Sequence, residues 1–365
     1  MIGLLAVLVN TDSGSYDKAG VDRVGQQIDE FLQEEGIDGE VFAKERAGDV
    51  RRFNVGGPGN RPVVLMGHMD TVFPRGEAVR RPFAIRDGRA YGPGVCDMKA
   101  GLVINAFTLA AYRRFGGNQP PLIGLFTSDE EIGSPASRSD IETTATGALA
   151  VLNSEPGRPS GAVVSGRKGG IFLVLEIVGK AAHSGANHQD GRSAIGALAA
   201  KVTALHALTD YDRGITCNVG LIGGGQSVNT VAPDARCEID LRYVRNADRI
   251  ALMSAVEAIV AREDVPGTTA SLTIKGEFLP LEATAANSAL LRTYQTASAT
   301  LGQEVGAEFT GGCADSGFTS AVGAPTVCAT GPVGGKAHSP EEFMVVDTMV
   351  PRAEALVETI AALGR

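Results

Sequence analysis

Three short apolar runs, residues 62–66, 122–126 and 149–152, are each followed within three residues by an imidazole or a carboxylate. Runs this short and continuously apolar suit strands buried in a sheet better than helices. Helical patterns flank them. Val21, Val24, Ile28, Phe31 and Leu32 recur at helical spacing, with Gly36 placed to end the helix. Leu102, Ile104, Phe107, Leu109 and Tyr112 form a second such pattern, closed by Gly116 and Gly117. Strands alternating with helices predict an α/β fold, a mostly parallel sheet flanked by helices. Ligands of such sheets bind in the crevice just past the strand ends, where the imidazole and the acids fall.

The pattern changes near Arg167. Residues 171–178 alternate like a half-exposed strand. A helix follows over 192–208, strands over 215–222 and 235–243, a helix over 247–262 and a strand over 270–274. Strand, helix, strand, strand, helix, strand is a ferredoxin-like unit. From Asn287 the chain returns to helix and buried strand (325–328) and ends in an amphipathic helix. At ~150 residues per domain, 365 residues hold about two domains. The expected organisation is a discontinuous domain, 1–167 and 280–365, interrupted by an α+β sandwich over 168–279.

Composition narrows the function. A formal charge of −9, no Trp and 5% aromatic residues leave no basic surface and no stacking platform for a nucleic-acid partner. The five cysteines form no C-x-x-C pair, which suits free thiols in a reducing compartment, here the cytoplasm. The opening apolar run, residues 1–9, has no basic flank and is too short to cross a bilayer. It is expected to form the first buried helical turns, with a few residues preceding it. No membrane association is expected.

Few residues could carry chemistry. His68 and Asp70 share a face in extended chain, so the carboxylate can orient the ring toward a metal; an ordinary hydrogen-bonded histidine explains the pair equally. Asp97 precedes a helix and could simply cap it, worth ~1 kcal/mol. Asp129, Glu130 and Glu131 read either as a solvated charge run or as a site that needs cations. Glu155 repeats the theme beyond the third strand, and His338 lies in a polar loop before the last helix. Taken together they gather at the expected crevice. Three carboxylates, Asp97, Glu131 and Glu155, with one further anion balance two Zn²⁺ ions, leaving Glu130 over as a base. His188 and His206 read as surface and helix residues, Cys96 as a packed thiol, and 223–225 as a turn.

The runs around His68 and Asp70 (67–72), Asp97 (94–101), Glu130 and Glu131 (127–133), Glu155 and Pro156, His183 (183–185), Asn229 (227–234) and His338 with Ser339 resemble the M20 family of zinc peptidases, in its glutamate carboxypeptidase-like branch. The resemblance spans almost the whole chain. It implies a di-zinc exopeptidase-type catalytic domain with Asp97 bridging two Zn²⁺ ions (Co²⁺ or Mn²⁺ as substitutes). His68 and Glu155 would complete one site, Glu131 and His338 the other. Asp70 would orient His68 and Glu130 would serve as general base. A cis peptide is implied at Asp97–Met98. The inserted unit would be a dimerisation domain, making the protein a homodimer. His183 would reach the partner's active site, with Asn229, Arg242 and Gly312 contacting substrate. The implied reaction is hydrolysis of an amide bond next to a free carboxylate, in a dipeptide or N-acyl amino acid, and Glu at position 155 agrees with this. The alternative is an N-acyl-amino-acid amidohydrolase. A catalytically dead metal-binding dimer would have lost Glu130 or a ligand, and all are present. A nucleotide-dependent oxidoreductase would need a Gly-x-Gly-x-x-Gly turn between strand and helix, and none stands there. Glu277 occupies a place where glutamate-releasing relatives carry an arginine, so repulsion of glutamate substrates is expected.

Overall fold

Strand Val63–His68 is buried along its whole length because it is paired on both edges. Leu122–Thr127 runs parallel on one side and Ala150–Asn153 on the other, with Val63 opposite both Leu122 and Ala150. A strand enclosed this way gains from being apolar at every position, hence the unbroken runs. The strand continues past Met66, and His68 is its last residue, opposite Thr127. These observations come from a computed structural model that describes residues 1–56, 61–116 and 120–365. The closing glycine Gly117 lies outside the described residues.

Among the described residues the chain divides into two units, 1–167 with 281–310 and 314–365, and 168–280 with 311–313. The first unit holds an eight-stranded mixed sheet in the order Gly39–Phe42, Val50–Val55, Leu122–Thr127, Val63–His68, Ala150–Asn153, Thr326–Cys328, Val163–Arg167, Ala307–Thr310. The strands around Val63–His68 are parallel, and the first two run antiparallel. A small four-stranded sheet, Gly334–Gly335, Phe343–Val345, Arg89–Tyr91 and Ala84–Arg86, frames the loop that carries His338.

Helix Lys18–Glu34 starts where the Asp17 carboxylate accepts from Gly20 N at 3.2 Å, and ends before Gly36, which takes a φ of +72°. Its Val21, Val24, Ile28 and Leu32 are buried. Helix Ala100–Phe115 buries Leu102, Val103, Ile104 and Leu109. The stretch Val95–Phe115 is long and apolar enough to cross a membrane, but it is mostly buried inside the protein. Gly101 lets this helix touch the main chain beside Glu155: a Cβ there would fall 2.0 Å from the Ser154 carbonyl oxygen.

The second unit is a four-stranded antiparallel sheet in the order Thr216–Gly224, Asp234–Tyr243, Gly169–Val178, Thr269–Phe278. Ala194–His206 and Asn246–Ala261 supply the helices; Ile171, Leu173, Leu175 and Ile177 join the core against Leu198, Leu205, Leu252 and Val256. Strand Gly169–Val178 differs from the half-exposed expectation: it is central, paired on both edges, and even Val174 is buried. Residues 311–313 group with this unit rather than with 280–365, and there the Arg242 guanidinium donates from Nη1 to Cys313 Sγ at 2.8 Å.

Candidate metal centre

Three adjacent strands deliver most of the centre. His68 ends Val63–His68, Glu130 and Glu131 form the turn after Leu122–Thr127, and Glu155 stands two residues beyond Ala150–Asn153. Asp97 comes from the turn Val95–Lys99, where Asp97 and Met98 leave helical geometry and the peptide between them is cis. Asp97 is therefore not the helix cap: the N-cap of Ala100–Phe115 is Lys99, without a side-chain bond. His338 sits in its loop at φ +63°.

Asp97 stands between the two imidazoles. One oxygen is 3.3 Å from His68 Nε2 and the other 3.3 Å from His338 Nε2. Glu155 lies 3.8 Å from His68 Nε2, and Glu131 lies 3.1 Å from His338 Nε2. The donors thus form two groups sharing Asp97. Glu130 is 3.9 Å from His68 Nε2. Atoms of His68, Asp97 and Glu131 all lie within 4.8 Å of one another.

Supporting bonds fix this arrangement. Asp70, with no exposed surface, accepts from Ser15 Oγ at 2.6 Å and from the backbone N–H of Glu130 and Glu131 at 3.0 and 3.2 Å. His68 Nδ1 is 3.0 Å from the Asp70 carbonyl oxygen and 3.3 Å from its carboxylate. A ring donating from Nδ1 turns the lone pair of Nε2 toward the acids, an arrangement that calls for a cation. Asp129 turns the other way and accepts from Ala136 N at 2.6 Å and Ser137 N at 3.2 Å, so the acidic run splits between the centre and a loop closure.

The charges strain against burial. Burial pushes Glu130 well above the usual carboxylate range, with His68 opposing it, and pushes Glu131 up to about 7 against its bond to His338. Burial raises Glu155 as well. Burial would raise Asp97, but the His338 and His68 imidazoles beside it hold it low. His338 is raised to about 10 by Asp97 and Glu131. His68 is disfavoured as a cation by burial, yet Asp70 and Asp97 hold it well above the ordinary imidazole value. His68 Nε2 and one oxygen each of Glu131 and Glu155 are buried without a hydrogen-bond partner among the described residues. Orphaned lone pairs converging from imidazole and carboxylate donors are the chemistry that divalent zinc accepts; the residues fit a metal.

The other residues singled out from the sequence lie in the second unit. His183 is exposed, and its Nδ1 accepts from Gly185 N and Ala186 N, each at 3.2 Å. His183 is bridged to Thr230, and the carbonyl of the adjacent Asn229 accepts from Ser184 N at 2.9 Å. Arg242 is already gripped by Asp240, at 2.6 and 3.0 Å, and stacks over Phe172. Gly312 belongs to the 311–313 segment. Glu277 does not present a free charge: Arg249 pairs with both its oxygens. The repulsion of glutamate expected from the sequence loses its physical basis.

Sequence reasoning missed several buried polar residues near the centre. Asp315 is buried, bonded to Ser134 and raised to about 7 by burial. Arg167, also buried, donates to Cys328 Sγ at 3.2 Å. Ser15 and Glu342 carried no signal, since their partners come from distant segments.

Comparison with known proteins agrees with this geometry. The model of peptidase family M20/M25/M40 matches residues 64–362. Carboxypeptidase G2 of Pseudomonas sp. (strain RS-16) is 29% identical over 362 residues, covering 96% of this chain and 86% of that protein. Acetylornithine deacetylase of Salmonella arizonae is 30% identical over 263 residues, 66% of this chain and 67% of that one. Among solved structures, an M20 family metallo-carboxypeptidase of Sulfolobus solfataricus has a TM-score of 0.82 at 18% identity, covering 100% of this chain and 99% of its own. A dinuclear metal-binding M20 peptidase of Bacillus subtilis has a TM-score of 0.69 at 16% identity, covering 100% and 97%. The family match runs through the strands and turns that deliver the clustered donors, and the chain belongs to peptidase family M20/M25/M40, metal-dependent hydrolases of peptide and amide bonds.

Proposed function

We propose that the protein is a two-zinc hydrolase that cleaves the amide bond between an acyl group larger than acetyl and an amino acid with a free carboxylate. The observation that carries this reading is Asp97, with one oxygen 3.3 Å from each imidazole and a second carboxylate beside each. His68 and Glu155 would hold one ion with Asp97, and Glu131 and His338 the other. Two zinc ions held there would supply Lewis acidity for a carbonyl and a lowered pKa for water. The name of the dinuclear relative supports two ions rather than one.

The chain's own residues account for the proton. Glu130, buried and raised, accepts a proton from the attacking water as its oxygen bonds to the carbonyl carbon. The C–N bond then breaks, and Glu130 returns the proton to the leaving nitrogen. Asp70 keeps His68 from rotating. His183 accepts backbone bonds at Nδ1, so its proton sits on Nε2, ready to donate to the carbonyl oxygen as negative charge builds there. We assign His183 to the partner's site in a homodimer, with Asn229, Arg242 and Gly312 contacting substrate. If so, inactive Glu130→Gln and His183→Ala chains regain partial activity when mixed under proven subunit exchange. Heterodimers with none would place His183 outside the reaction or in its own chain's site. That the five cysteines form no disulfide supports a cytoplasmic location.

A cleft in the first unit supports the size assigned to the acyl group. A cavity of about 630 Å³ opens beside Glu131, lined by Tyr16, Val72, Phe73, Pro74 and Ile132. Its one cation, Arg75, is taken by Asp17 at 3.0 and 2.8 Å. A space walled on one side by these apolar side chains, with two carboxylates, Asp17 and Glu131, and its cation paired, suits an apolar acyl group and is a poor seat for the carboxylate. An acetyl group would leave it largely empty, which weighs against the one form of the N-acyl-amino-acid amidohydrolase alternative that is an acetyl-specific deacetylase. N-phenylacetyl-alanine is expected to exceed N-acetyl-alanine in kcat/KM by ~10-fold or more. Equal rates, or a preference for acetyl, would favour the deacetylase.

A further inference from the structure

We propose that Glu342 is a positioning residue for the metal centre, clamping the turn that aims Asp97 to the loop that bears His338. The inference rests on the metal reading above. Glu342 has no exposed surface, yet among the described residues its carboxylate forms no ion pair. It is committed instead to backbone. Oε2 accepts from Gly94 N at 3.1 Å, and Oε1 accepts from Cys96 N at 2.8 Å and Asp97 N at 3.0 Å. The nearby buried ammonium of Lys99 donates to the Thr11 carbonyl at 2.8 Å.

The turn needs such an acceptor. Gly94 adopts φ +70°, while Asp97 and Met98 have φ, ψ of −112°, 93° and −129°, 39°. Regular helical bonding is broken there, and buried N–H groups without acceptors are costly. One carboxylate satisfies three of them, including the N–H of Asp97 itself. The direction of the Asp97 side chain, and hence the sharing of its oxygens between two imidazoles, follows from this backbone. Glu342 also lies four residues after His338, in a loop where both Lys336 and His338 take positive φ values, 56° and 63°. Such conformations are uncommon outside glycine and persist when their surroundings hold them. Anchoring the far end of the loop on the Asp97 turn fixes the separation of the two donors. The sequence gives no hint of it, because 248 and 245 residues separate Glu342 from Gly94 and Asp97.

The test compares Glu342→Gln and Glu342→Ala with the parent, as full-length chains stripped of metal, titrated with zinc by calorimetry and melted with and without zinc. Loss of a supporting residue of this kind weakens metal binding by ~10–100-fold, the result expected for Ala. Gln retains an acceptor for Cys96 and Asp97 but turns its NH₂ toward Gly94 N, so a smaller loss is expected. The zinc-induced rise in Tm should shrink in the same order, beyond any change in the metal-free Tm, which is what a merely structural residue would alter. Exposed Glu341→Gln should match the parent. Zinc affinity within about twofold of the parent in the folded variants would overturn the proposal, and Gln decides alone should Ala not fold. A parent that takes up no zinc overturns the metal reading and this inference with it.

Discussion

Glu130→Gln is expected to keep its full zinc content and to lose ~10²–10⁴ in kcat, the range typical of a general base. Glutamine matches the size and shape of the side chain but cannot accept a proton. The substitution also removes a buried carboxylate that burial has pushed well above its usual range, so the folded chain should lose no stability; a melt of the metal-free variant at or above the parent's Tm checks this. KM should change little, because the lost step belongs to the transition state. Near-parental kcat at full zinc occupancy would remove Glu130 from the reaction.

Asp97→Ala is expected to empty both sites. Its two oxygens face different imidazoles, so one truncation takes a donor from each group. Glu155→Ala, by contrast, takes a donor from the His68 group alone. Elemental analysis should read close to zero ions in Asp97→Ala, about two in the parent and about one in Glu155→Ala. The zinc-dependent gain in Tm should follow the same order, since a ligand stabilises only the state that binds it. Retention of one ion in Asp97→Ala would assign Asp97 to a single site.

The strands that build the centre were legible because enclosure by parallel neighbours demands apolar residues at every position, and the donors follow those runs. Strand Val50–Val55 was not. It carries Arg51, Arg52 and Asn54, and Arg51 is buried by reaching Asp29 at 2.8 Å; a polar group satisfied by a distant partner leaves no periodicity. The same limit hid Arg249 beside Glu277, and made the Asp129–Glu131 run look uniform although its members face different ways. Asp97 looked like a cap because a carboxylate before a helix has that role by default; only the departure of its backbone from helical geometry sets it apart.

His68, the Glu130–Glu131 turn and Glu155 share a ruler. The strands beneath them are hydrogen-bonded neighbours, and such strands lie ~4.8 Å apart. Cooperating metal ions sit ~3.5–4 Å apart, so much of the donor spacing comes from the ladder rather than from any specialised loop. The chemistry is therefore tied to strand register. Sliding Val63–His68 by one residue against Leu122–Thr127 would swap Gly67 into the place of the imidazole and turn the ring to the opposite face of the sheet. An insertion or deletion within this strand should abolish metal uptake even where the sheet still forms.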